Sequence, residues 1–156
     1  MAILKIQIGT NNPILRTKSK KVQKVDANVK KLIKDMQDTL HLDGVGLAAP
    51  QVGQNLRVIL IIINAAKVNQ NMLTMINPEI LFFSEDLEIM EEGCLSLPKI
   101  FKNVARSKSI TVKYQDLNLH EHVLQLSGFN ARIVQHEVDH IDGILFIDRA
   151  EGNSKF

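Results

Sequence analysis

A chain of 156 residues with 45% apolar content has room for one domain with a real hydrophobic core. A formal net charge of +2 makes no case for DNA or a membrane surface as the main partner. The single cysteine, Cys94, excludes an intrachain disulfide and suits a reducing compartment. Met1-Ala2-Ile3-Leu4-Lys5 runs into the polar Gly9-Thr10-Asn11-Asn12, which is not a secretory signal. The longest apolar run, Val58 to Ile63, is far too short to span a bilayer.

Lysines cluster from Lys18 to Lys31 and read as a solvated segment. Residues 26–41 predict an amphipathic helix: Val29, Leu32, Ile33, Met36 and Leu40 follow helical spacing, and Asp26 is placed to cap the first turn. Residues 43–53 carry three glycines and a proline and are expected to be irregular. The β-branched run 57–64 predicts a buried strand, and further strands are expected at 72–76, 79–83, 87–91, 109–115 and 120–126. The last two form a hairpin around Asp116-Leu117-Asn118. A second helix is expected to start between Ser127 and Asn130 and to end at Gly143, a natural C′ glycine. The pattern reads as an α+β fold: mainly antiparallel sheets around a C-terminal helix, with an N-terminal amphipathic helix.

The chemistry concentrates in Gln135-His136-Glu137-Val138-Asp139-His140. Histidines at i and i+4 lie nearly above one another on a helix, so both imidazoles reach one metal ion. Glu137 sits about 100° further round the helix, beside a metal-bound water rather than on the metal. Such a short pattern also arises by chance in solvated surface helices. The usual protease completions fail here. Only sixteen residues follow His140, and their one glutamate, Glu151, lies in a polar tail. In the extended H-E-x-x-H-x-x-G-x-x-H pattern Gly143 is present, but the last histidine is replaced by Phe146. Cys94, in Glu91-Glu92-Gly93-Cys94-Leu95-Ser96, is a candidate third ligand, since a thiolate with two imidazoles leaves a position open for water. Taken alone, a lone cysteine is better read as a small buried hydrophobe. Gln51, after a proline, reads by itself as a surface residue. Gln135 reads either as a surface residue or as a hydrogen-bond partner near the metal. Glu92 is expected to pair with Arg106.

Three stretches, in order, resemble the signatures of the peptide deformylases: Gly44-Val45-Gly46-Leu47-Ala48-Ala49-Pro50-Gln51, Glu92-Gly93-Cys94-Leu95-Ser96, and Gln135-His136-Glu137-Val138-Asp139-His140. The likeness extends to Pro13-Ile14-Leu15-Arg16 and Gly143–Arg149, nearly the whole chain. It implies a single catalytic domain over 1–149 followed by a short polar tail, 150–156. It implies Cys94, His136 and His140 as metal ligands, Glu137 as acid/base, and the Gln51 side chain with the Leu95 backbone N–H as oxyanion donors. The metal it implies is one divalent ion, ferrous iron natively, with nickel or cobalt as active substitutes and zinc in purified samples. The substrate it implies is the formyl-methionine end of a nascent chain, at the ribosome, in a bacterial cytoplasm or an organelle matrix. Val45 and Gly46 are candidates for a methionine slot, Phe129 and Ile133 either for that slot or for plain core packing, and the backbone at Gly44–Gly46 and at Glu92–Gly93 for pairing with the peptide. Two rivals are a non-catalytic binder of formylated chain ends, against which Glu137 speaks, and a broader metallopeptidase, which lacks its third ligand.

Overall fold

In the computed structural model, which describes residues 2–150, Asn12 caps a single helical turn, α1 (Pro13–Arg16), through its side-chain oxygen. The second helix, α2 (Ala27–Leu40), begins where Asp26 Oδ1 accepts from Val29 N at 3.0 Å. Its boundaries and cap agree with the sequence expectation. The glycine-rich segment is more ordered than its composition suggests. It forms a short strand, β1 (Gly46–Ala48), and a 3-10 turn, Ala49–Val52. Then come β2 (Val58–Ile63), β3 (Asn71–Phe83), β4 (Leu87–Cys94), β5 (Leu97–Ser107), β6 (Ser109–Gln115) and β7 (Glu121–Ser127). The metal-motif helix, α3, runs from Gly128 to Ile141. A final 3-10 turn spans Phe146–Arg149.

Two expectations need correction. Strands expected at 72–76 and 79–83 are one long strand, β3. Its pairing with β6 shifts register between Ile76 and Glu79, and Pro78 sits in that irregularity, where a missing N–H breaks no ladder bond. Strand β5, eleven residues long, carries no strand signal in the sequence. Pro98, Lys99 and buried Arg106 interrupt any apolar alternation, and the strand is held by pairing with β4.

Strands β1-β2-β3-β6-β7 form one antiparallel sheet in that order, and β4-β5 form a separate two-stranded sheet. Alternate residues of β2 point to opposite faces. Ile59 and Ile61 join a core with Ala131, Val134, Val138 and Ile141 of α3. Val58 and Leu60 join a second core with Val29, Ile33, Met36 and Leu40 of α2. Burial on both faces explains why β2 is apolar without interruption. A third cluster, Leu15, Leu97, Val104, Leu145 and Phe146, seats the β4-β5 hairpin.

Gly143 has φ +76, as a C′ glycine should. A Cβ there would also lie 2.6 Å from Arg16 O, so glycine lets α1 close on the end of α3. The six clustered lysines are exposed, as expected. Ala150 is buried and bridges to Val104; the remainder of the polar tail, 151–156, lies outside the described residues. Among the described residues no helix is long and apolar enough to cross a membrane.

Candidate active site

Cys94 ends β4, and the turn Leu95-Ser96 carries the chain into β5, with Cys94 opposite Leu97. His136 and His140 sit one turn apart on α3, their rings 5.0 Å apart between centroids. The three ligand atoms lie within 4.8 Å of one another. Cys94 Sγ is 3.3 Å from His140 Nε2. Metal–sulfur bonds near 2.3 Å and metal–nitrogen bonds near 2.0 Å imply donor separations of roughly 3.3–3.6 Å around a tetrahedral ion. The donor set therefore fits one small divalent metal.

His136 Nδ1 lies 2.9 Å from Glu92 Oε1, which leaves Nε2 for the ligand position. Glu92 is itself gripped by Arg106, with Nε donating at 2.6 Å and Nη2 at 3.0 Å, and by Arg132 Nη1 at 2.5 Å. Burial opposes its charge, but the bonds from His136 and Arg106 hold its carboxyl well below the usual carboxylate range. The expected Glu92–Arg106 pair is thus present within a larger network: Arg106 Nη1 also donates to Asp139 Oδ2 at 2.9 Å, and Asp139 accepts from Arg149.

Burial, and then the charge of His136, holds His140 well below the usual histidine range, in the neutral form that ligates metals. Burial works against charge on His136, but the bonds to Cys94 and Glu92 outweigh it and lift the group to about 10. A ligand must be neutral, so lodging a metal there displaces that proton. Glu137 is 5% exposed, and burial pushes it up to about 7. Its Oε1 has no hydrogen-bond partner among the described residues, unlike almost all buried polar atoms.

Gln51 is buried, contrary to the bland surface reading. Its Oε1 accepts from Ala48 N at 3.0 Å, and its Nε2 faces Ser96 Oγ at 3.2 Å and Cys94 Sγ at 3.5 Å. A cleft of about 550 Å³ opens over these groups. Among the residues singled out in the sequence, Val45, Gly46, Gln51, Glu92, Gly93, Cys94, Leu95, Phe129, Ile133, His136 and Glu137 line it, and His140 lies buried beneath. The Glu92 carboxylate is fully engaged, so any contact it makes in the cleft falls to its backbone. Gln135 follows neither of its two readings, a surface residue or a hydrogen-bond partner near the metal, because it is buried and faces Ser107. It turns away and staples α3 to the Ser107 backbone, with Nε2 donating to Ser107 O at 2.9 Å. A larger cleft of about 1110 Å³ lies behind α3, along Arg57, Asp139 and Arg149. It holds none of the Cys94, His136 and His140 trio, so the chemistry is assigned to the smaller one.

Sequence reasoning gave no site role to Arg132, Ser96, Phe101 or Phe146. Phe101 lies over Gly93, where a Cβ would come within 2.7 Å of its ring. Phe146, the residue that denies the chain a third histidine, stacks on His136 with centroids 6.0 Å apart. Neither contact has a short-range signature; Ser96 closes the second motif and Arg132 lies just before the third, so both could have been found there.

The polypeptide deformylase family model matches residues 3–156. A peptide deformylase from Pseudothermotoga lettingae is 44% identical over 146 residues, covering 93% of this chain and 82% of that one. One from Thermotoga maritima is 47% identical over 139 residues, covering 88% and 82%. The crystal structure of the Thermotoga maritima peptide deformylase superposes with a TM-score of 0.88 at 43% identity, covering 97% of this chain and 99% of that one. One from Acinetobacter baumannii, bound to Met-Ala-Ser, gives 0.86 at 38% identity, covering 95% and 98%. With a family-model match over nearly its full length, and with Cys94, His136 and His140 placed where they could hold a metal ion, the chain belongs to the peptide deformylases, metal-dependent hydrolases that remove the N-formyl group from nascent peptides.

Proposed function

We propose that this cleft deformylates the formyl-methionine end of nascent chains with Cys94, His136 and His140 holding one divalent metal and Glu137 as acid/base. The observation that carries the assignment is the convergence of one thiol and two imidazoles beside a buried glutamate whose Oε1 has no partner. A metal bound there supplies a Lewis acid that makes water nucleophilic near neutral pH.

Glu137, raised by burial, accepts the proton from water and returns it to the leaving amine nitrogen. Water attack on the formyl carbon, followed by loss of the amine, yields formate and a free amino terminus. Gln51 is held by Ala48 N, so its Nε2 is pre-aimed at the Cys94 side of the cleft, where it and the Leu95 N–H serve as oxyanion donors. Val45, Phe129 and Ile133 supply apolar wall for the methionine side chain, and Gly46 leaves the room it needs. Among the described residues strand β1 pairs with β2 alone, so its other edge can take the peptide as an added strand, and the Glu92–Gly93 backbone can face it across the cleft. The Met-Ala-Ser complex of the Acinetobacter baumannii relative supports a methionine-first peptide in this position.

Thiolate and imidazole donors suit iron as well as zinc. We take ferrous iron as the working metal, with zinc, nickel or cobalt able to occupy the same donors. Action on nascent chains and the bacterial relatives support a place beside the ribosome in the bacterial cytoplasm, with an organelle matrix as the second reading.

The test is formate release from formyl-Met-Ala-Ser by protein loaded anaerobically with ferrous iron, beside Glu137→Ala. The variant should keep its metal and lose roughly 10²–10⁴ in rate. No formate from the loaded wild type, or a wild-type rate in the variant, would overturn the proposal.

A further inference from the structure

The ligand set is divided between two units. His136 and His140 ride on α3, which packs on the main sheet. Cys94 rides on the β4-β5 hairpin, a separate two-stranded sheet. The distance between thiolate and imidazoles is therefore set by how the hairpin sits against the helix.

Arg132 spans that junction. It lies on α3 one turn before His136 and is 5% exposed. Its Nη1 donates to Glu92 Oε2 at 2.5 Å and to Val104 O at 3.1 Å, and its Nη2 donates to Glu88 O at 2.6 Å. The acceptors are a backbone carbonyl on each strand of the hairpin and the carboxylate that also holds His136 Nδ1. A guanidinium is a rigid planar fork, so three simultaneous bonds fix an angle as well as a distance. Arg106 grips the same carboxylate from β5, so its bonds to Glu92 stay within the hairpin, and it meets α3 at Asp139 instead.

We propose that Arg132 is a positioning residue of the metal centre: it sets the hairpin that carries Cys94 in register with α3, and so spaces the thiolate from the two imidazoles. The inference rests on the Cys94–His136–His140 assignment made above. A purely structural role would give Arg132 the same burial and the same bonds, so the test must read the ligand geometry itself.

Cobalt provides that readout, because thiolate-to-cobalt absorption reports the sulfur ligand directly. Wild type, Arg132→Met, Arg132→Lys and Val104→Ala are loaded with Co²⁺. Affinity is measured by chelator competition, the absorption band by spectroscopy, and thermal stability by circular dichroism. Val104→Ala removes buried apolar packing from the same hairpin but leaves its carbonyl in place. Arg132→Met should lose at least tenfold in Co²⁺ affinity and show a shifted or weakened band. Arg132→Lys keeps the charge but lacks the fork, and should fall between the two. Val104→Ala should melt earlier with wild-type affinity and band. Wild-type affinity and band in both Arg132 variants would overturn the inference, as would an equal change in Val104→Ala. If Arg132→Met does not fold, wild-type values in Arg132→Lys overturn it alone. If wild-type protein binds Co²⁺ with no thiolate band, the Cys94 assignment falls and the inference falls with it.

Discussion

Replacing Gly46 by alanine tests the geometry of the proposed acid/base directly. A Cβ at Gly46 would lie 2.6 Å from Glu137 Oε2 and 2.9 Å from Ile133 Cγ2. Ordinary contact begins near 3.4 Å, so the carboxylate must retreat by about 0.8 Å. Gly46 has no positive φ, so alanine strains no backbone, and the effect is one of side-chain contact alone. The pairing of β1 with β2, Gly46 opposite Ile61, resists a shift of the strand. Misplacing a reacting group by about 1 Å costs on the order of 100-fold in rate. Gly46→Ala should therefore lose tens-fold in kcat/KM, with KM raised as well because Ile133 is pressed into the methionine slot. Metal content should hold, since the Gly46 contacts include none of the three ligands. The assay is formate release with bound metal quantified in the same sample. A kcat/KM within threefold of wild type at full metal occupancy would refute both the steric argument and the placement of Glu137 at the reacting atoms.

Other consequences are as direct. Chelating the metal should abolish formate release and lower Tm, because a ligand of the folded state stabilises it; Cys94→Ser should keep the fold but lose tight binding, and unchanged affinity would break the three-ligand assignment. Arg106→Ala leaves Glu92 and Asp139 short of a buried partner, at a cost of about 3 kcal/mol, or a Tm drop of roughly 6–12 °C; unchanged Tm and metal content would sink the network argument. In the β6-β7 turn, His122 Nε2 lies 2.7 Å from Asp116, which also accepts from the His120 and Asn118 amides, and these bonds hold its carboxyl down at about 2. A lowered carboxyl contributes stability above its unfolded value of 3.8 that is lost as pH falls through the folded one. The Tm difference between wild type and Asp116→Asn should thus shrink as pH falls below about 4; a difference that already vanishes above pH 5 would contradict the assignment.

What could be read from the sequence was what repeats at short range. The cap at Asp26, the helical spacing of α2, the two-faced apolar run of β2 and the C′ glycine of α3 each depend on residues within one or two turns of each other. The metal site was readable for a different reason: chemistry demands particular side chains at particular spacing, so His136, Glu137 and His140 announce themselves. Cys94 does not, because 42 positions separate it from His136, and the resemblance to a family supplied the link. Strand β5 was hidden because its stability comes from partners far away: Arg106 with Asp139, and Val104 with Leu15, Leu145 and Phe146. Gln135 fits neither of its readings because one step back along α3 turns its side chain about 100° from His136, on the side opposite Glu137 and into the interior against Ser107.

The charged groups under the hairpin raise a question of purpose. Glu92, Arg106, Arg132 and Asp139 are all at least nine-tenths buried, and each had to leave water. Apolar residues of similar volume often pack such a space with equal or better stability, so stability alone does not account for them. Apolar surfaces slide, however, and remain nearly satisfied at several neighbouring positions. A carboxylate held by Arg106, Arg132 and His136 is satisfied at one. That single position fixes the orientation of the His136 ring, because Nδ1 must carry the hydrogen that Glu92 accepts and Nε2 is the nitrogen left to face a metal. It also fixes where the hairpin presents Cys94. The ionic network is then a device for direction rather than strength. This distinction has a measurable form: changes within the network should disturb metal affinity out of proportion to their effect on Tm, whereas changes in the apolar cluster beneath the hairpin should do the reverse.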